Sequence, residues 1–139
     1  MRKFGFRNGR FRKEFELVNL ASVQSWIDRG RLDPNKLITL RTLKEVGLIK
    51  KARDGVKLLA EGKHLFASKI HIEVNQVSAE ARKVVEEKGG KVTTVYMTPL
   101  GLRTFLRNEP KNIKIEFAGA PPSLAGKYDV PKYSVQHLL

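Results

Sequence analysis

The sequence predicts a mixed, irregular α/β globular domain of β-β-α type, preceded by an extended basic arm and followed by an irregular C-terminal extension. Three features carry that expectation. Apolar residues recur at helical spacing in short segments that end on glycine, as in Leu20, Val23, Trp26 and Ile27 before Gly30. Elsewhere they alternate, with Ile70, Ile72 and Val74 separated by His71 and Glu73, which is the period of a strand. The first thirteen residues show no helical face, and prolines interrupt the C-terminal end. A chain of 139 residues, 41% of them hydrophobic, has material for one core. The boundaries drawn from these patterns are an arm over 1–18, a globular domain over 19–107 and an extension over 108–139.

The arm opens MRKFGFRNGRFRK, with six basic residues, three phenylalanines, two glycines and no acid. Glycine disfavours helix and no apolar face forms, so the segment reads as extended, and Phe15–Val18 continues it as a strand or extended run. Asn19 has the side chain of an N-cap, an oxygen able to accept orphan amide protons, and Gly30 suits the residue just past the helix that follows. Asp33-Pro34-Asn35 marks a turn. Thr39 is expected to cap a second helix through Leu40, Leu43 and Val46, stopped by Gly47. The basic loop Lys50-Lys51-Ala52-Arg53 then leads to Asp54-Gly55, a hairpin or turn pair. Val56–Ala60 and Lys69–Val74 read as strands. Ser78 is expected to cap a helix through Ala81, Val84 and Val85 that Gly89-Gly90 ends. Lys91–Met97 is β-branched and aromatic, hence a strand, and a short helix spans Leu100–Arg107. Beyond it, Pro110, Pro121, Pro122 and Pro131 break regular structure.

Charge is the strongest functional signal. Lys and Arg number 27 against 14 Asp and Glu, a net charge of +13. Such an excess repels itself in a compact chain and is neutralised by a polyanion, nucleic acid or an anionic membrane surface. It is concentrated in the arm and in residues 41–57, which hold six basic residues against two acidic, while the Ser78–Lys88 segment is balanced. Arg2, Lys3, Arg7, Arg10, Arg12 and Lys13 suit phosphate, because guanidinium and ammonium groups donate to its oxygens. Phe4, Phe6 and Phe11 offer faces on which unpaired bases stack. Lys50, Lys51 and Arg53 form a second cationic patch, and Trp26 is expected in the core. The extension is nearly neutral, four basic against three acidic, which favours protein neighbours.

Other classes find little support. With no cysteine, disulfides, thiolate metal sites and a cysteine nucleophile are excluded. No apolar run approaches the ~18 residues of a membrane span. His64, His71 and His137 lack metal-ligand spacing and read as surface residues. Gly62-Lys63 resembles the end of a phosphate loop, but six residues separate it from Gly55 and His64 follows where Ser or Thr is required. Gly89-Gly90-Lys91 follows a helix and opens a strand, the reverse of a phosphate-cradling order. The expectation is therefore a binding protein, not an enzyme, with no metal, no cofactor and no small-molecule substrate. The rivals are a free-standing RNA- or DNA-binding module and a small enzyme acting on an anionic substrate.

The order of the basic Phe arm, Val18-Asn19-Leu20, Val46-Gly47-Leu48-Ile49-Lys50, Val56-Lys57-Leu58-Leu59 and Gly62 resembles the universal large-subunit ribosomal protein fifteen family, bacterial L-fifteen type. Ser78 to Gly90 resembles the family's small-residue helix closing on Gly-Gly, and Lys3-Phe4-Gly5-Phe6 its Lys-x-Gly-Phe segment. The likeness covers roughly residues 2–96. Trp26-Ile27-Asp28-Arg29-Gly30-Arg31-Leu32-Asp33-Pro34, and the Gly89–Tyr96 stretch running on into an extension, resemble the mitochondrial branch. The resemblance implies an α/β domain on the subunit's outer side with an arm threaded into large-subunit rRNA. Its partners would be that rRNA and neighbouring large-subunit proteins. It also implies a structural role in assembly and translation, in the mitochondrial matrix or, failing that, on a bacterial or plastid ribosome.

Overall fold

A computed structural model of the chain describes residues 14–50, 54–107 and 119–131. In chain order the elements are β1 (Glu16–Asn19), α1 (Leu20–Asp28), α2 (Leu40–Glu45), β2 (Val56–Leu59), a 3-10 turn (Lys63–Leu65), β3 (His71–Val74), β4 (Gln76–Val77), α3 (Ala79–Glu87), β5 (Lys91–Thr94), α4 (Pro99–Arg107) and α5 (Pro122–Ala125). The fold is α/β, with helices around two small parallel sheets.

The first sheet has the order β1-β2-β4, with Glu16 opposite Val56, Asn19 opposite Leu59, and Lys57 opposite Gln76. The second pairs β3 with β5 from His71↔Lys91 to Val74↔Thr94, and bridges at Ile38↔Ile72 and Val95↔Val130 extend it. Parallel neighbours need crossover connections, so Asp54-Gly55 is a turn into β2 and not the loop of a hairpin. The chain changes sheets at Asn75, between β3 and β4. Its buried amide accepts from the Val56 N–H at 3.0 Å and donates to the Val95 carbonyl at 3.2 Å. Gly55 makes room for it: φ is +127° there, and a Cβ would overlap the Asn75 side chain.

The core joins both sheets to the helices, with Leu20 and Val23 from α1, Leu43 from α2, Leu58 and Ile72 from the strands, Val85 from α3 and Phe105 from α4. Local signals place the helix ends. Thr39 and Ser78 accept the amides of Thr42 and Ala81 at 3.3 and 3.2 Å. Gly30, Gly47 and Gly89 take positive φ just beyond α1, α2 and α3. Asn19 differs from expectation. It occupies the N-cap position of α1, but its side chain makes no capping bond and its Oδ1 is buried. The turn at Glu61-Gly62 packs against the start of α1 so closely that the Glu61 carbonyl accepts from Ala21 N at 3.1 Å instead.

Three other elements depart from the sequence reading. Glu73, expected on an outward face, is only 6% exposed, because β3 lies between the Ile38 bridge and β5 and is covered on both faces. α4 begins at Pro99, one residue early, with Thr98 Oγ1 accepting from Gly101 N at 3.2 Å. Within the region read as irregular, residues 119–131 hold α5 and return to the domain, where Val130 N donates to Thr94 O and Tyr96 N donates to Val130 O.

Candidate nucleic-acid interface

Most cations singled out in the sequence lie outside the described residues: Arg2, Lys3, Arg7, Arg10, Arg12 and Lys13, with Phe4, Phe6 and Phe11 among them, and Lys51 and Arg53. Lys50 is described and exposed. The residues flanking these segments are nonetheless in contact. Glu14, just after the arm's basic run, donates its N–H to Asp54 Oδ2 at 2.7 Å. Two residues on, Glu16 N donates to the Gly55 carbonyl at 2.9 Å, and Glu16 Oε1 accepts from Lys50 N at 2.9 Å. Residues 14 and 16 thus bond to both sides of 51–53. Parallel pairing of β1 with β2 makes this unavoidable, since it sets the two strand starts side by side.

A further cationic cluster was missed in the sequence. Trp26, read there as core, packs one side against the core while its indole carries two guanidinium groups, Arg31 at 5.2 Å and Arg29 at 6.0 Å from the ring centroid. Both arginines are exposed. The ring's negative face attracts and orients each cation without consuming its N–H donors, so both remain able to donate to phosphate. Gly47 lies against the same indole, where an added Cβ would sit 3.7 Å from it. Lys50 follows Gly47 by three residues, about 11 Å of chain at most. The signal was a tryptophan followed three and five residues on by arginine.

Arg41, one of the six basic residues counted in 41–57, does not belong to an exposed cationic patch. It is 6% exposed, stacks 4.5 Å from the centroid of Phe105, and donates from Nε to the Phe105 carbonyl at 2.9 Å, with Nη2 on the same oxygen. Its charge holds the last turn of α4 to α2. Of the others, Lys44 is exposed, and Lys57 is half-buried on β2.

His64 and His71 are exposed, and His137 lies outside the described residues. Among the described residues no group of three or more His, Asp or Glu side chains is gathered to hold a metal ion. No described helix is long and apolar enough to cross a membrane.

A model of the family described as ribosomal proteins 50S-L15 and 50S-L18e, with their 60S counterpart, matches residues 17–93. The chain is similar to large ribosomal subunit protein uL15m of Schizosaccharomyces pombe, with 36% identity over 135 residues, 97% of this chain and 51% of that protein. Against uL15m of Neurospora crassa the identity is 36% over 106 residues, 76% of this chain and 34% of that protein. The bacterial relative uL15 of Parvibaculum lavamentivorans is 43% identical over 93 residues, 67% of this chain and 56% of that protein. The chain therefore spans about half the length of the first and last of these proteins and a third of the second.

Proposed function

Because this chain belongs to the ribosomal protein family of 50S-L15 and 50S-L18e, we propose that it is a structural, non-catalytic constituent of the large ribosomal subunit that binds large-subunit rRNA. The observation that carries the rRNA-binding part is the hydrogen-bonded junction of Glu14 and Glu16 with Asp54, Gly55 and Lys50. It roots the arm and the Lys50–Arg53 loop at one corner of a domain whose chain bears a net +13. In this reading Arg2, Lys3, Arg7, Arg10, Arg12, Lys13, Lys50, Lys51 and Arg53 meet phosphates, and Phe4, Phe6 and Phe11 stack on bases. Such contacts give affinity and register more than base identity. The ribosome is mitochondrial, because the match to uL15m of Schizosaccharomyces pombe runs over 135 residues and that to the bacterial uL15 over 93.

Salt dependence tests the proposal. Deleting residues 1–13 is expected to weaken binding to an rRNA fragment and to lower the log–log salt slope by roughly 0.7–0.9 for each phosphate no longer neutralised. Sedimentation supplies the other half: the chain should travel with the large subunit at moderate salt. An unchanged slope removes the arm from the interface, and a chain that stays at the top of the gradient is not a ribosomal constituent.

A further inference from the structure

Away from the arm, a groove of about 600 Å³ opens between β4, the start of α3 and the returning segment 119–131. Lys57, Arg82 and Lys127 line it, together with Gln76 and Tyr128. We propose that it holds one unpaired nucleotide of an RNA strand, with its phosphodiester oxygens on Lys57 and Lys127 and its base beside Tyr128. The proposal rests on the reading of the chain as an rRNA-binding protein, and adds a site that neither the arm nor the Lys50–Arg53 loop contributes.

Charge, size and construction argue for this occupant. Arg82 is already engaged, donating to Asp129 Oδ2 at 3.1 Å and to the Val92 carbonyl at 3.4 Å, so that pair is nearly neutral and serves as a wall. Lys57 and Lys127 make no ion pair with a described residue, so among the described residues the groove carries two positive charges that no carboxylate pairs with. Ser78 takes the Ala81 amide, and the other first-turn amides of α3, next to Ala79, add positive potential at the groove's edge. Glu80 stands in that turn but does not line the groove. The volume lies in the range of pockets that take small molecules, room for a splayed-out nucleotide and not for a helix. RNA presents such nucleotides in loops and bulges, where an aromatic side chain receives the base. Tyr128 is held for this by an edge-on contact with Tyr96 at 5.4 Å. Leu124, Lys127 and Tyr128 lie beyond residues 17–93, so the groove exists only because the extension returns.

The test is lysine acetylation footprinting of the full chain, alone and with single-stranded oligouridylate or a blunt RNA duplex, read by mass spectrometry. Oligouridylate should slow the reaction at Lys57 and Lys127 about tenfold, the duplex far less, and neither should alter Lys83 on the outer side of α3. Lys127→Glu, at an exposed position, should abolish the slowing at Lys57 while leaving thermal unfolding unchanged. If oligouridylate binds and both lysines react at their original rate, the groove is not a nucleotide site while the rRNA-binding reading stands. Equal protection by the duplex, or lysines already slow in the RNA-free chain, also overturns it. If oligouridylate fails to bind even at low salt, both readings fall.

Discussion

A guanidinium buried among apolar side chains survives only where its N–H groups find acceptors. Arg41 sets Nε and Nη2 on the Phe105 carbonyl and its plane against the Phe105 ring, whereas Arg31, ten residues earlier, rests on Trp26 and is exposed. The same side chain is structural at one position and available to a ligand at the other. Arg41→Ala removes a packed side chain and strips the Phe105 carbonyl of its partner, which should cost about 2–4 kcal/mol in urea unfolding. Its salt slope for RNA should not change. Arg31→Ala should do the reverse, with stability within about 0.5 kcal/mol and a slope lower by roughly 0.7–0.9. A normal slope for Arg31→Ala would take the indole patch out of the interface. Gly55→Ala belongs at this scale too. The new methyl meets the Asn75 side chain at a φ of +127°, so the bond tying the two sheets must break. The expected loss exceeds about 2 kcal/mol.

The segment 119–131 is held by few bonds, and Asp129 makes the most of them. Its carboxylate accepts from the Thr94 amide and hydroxyl and from Arg82, at 3.1 to 3.2 Å. Partial burial pushes the Asp129 carboxyl up, but the Thr94 amide, the Arg82 guanidinium and the Thr94 hydroxyl together pull it below its ordinary 3.8. A depressed folded-state value adds stability that is present above 3.8 and is lost as pH falls through the folded value. The gain is small, because the side chain is 46% exposed. Asp129→Asn should therefore lower the urea midpoint at pH 7, by an amount that shrinks as pH falls below the ordinary 3.8; a difference that stays constant down the acid limb would trace to packing. This contact was illegible in the sequence, since Asp129 and Thr94 are separated by 35 positions and nothing local marks the pairing. The same limit hid parallel pairing, which joins β1 to β2 across 40 residues, and β4, whose two residues are too few for a period. Helix ends were legible because Thr39, Ser78, Gly30, Gly47 and Gly89 act on amides and carbonyls within one turn. Of the candidate interface, the charge runs were legible, whereas the bonds that join Glu14 and Glu16 to Lys50, Asp54 and Gly55 were not, because they depend on strand pairing.

At the scale of the molecule, a net charge of +13 on 139 residues works against compactness. Added salt screens this repulsion, as the Debye length falls from about 30 Å at 0.01 M to about 10 Å at 0.1 M. The melting temperature of the free chain should therefore rise with ionic strength over that range, opposite to a fold held by surface ion pairs. Under the proposed function RNA should act more strongly, because its phosphates would neutralise the arm and the Lys50–Arg53 loop. At one hundred times the dissociation constant, binding alone is worth about 2.7 kcal/mol. For a domain of this size that corresponds to roughly ten degrees or more. Calorimetry of the full chain with an rRNA fragment at low salt measures the rise, and substituting Lys50, Lys51 and Arg53 together by Ala should reduce it. Salt and RNA must also compete: past ~0.2 M, released counterions no longer favour binding and the RNA-dependent rise should collapse while the salt-dependent one persists. A rise equally large at high salt would mean that something other than phosphate neutralisation holds the two together.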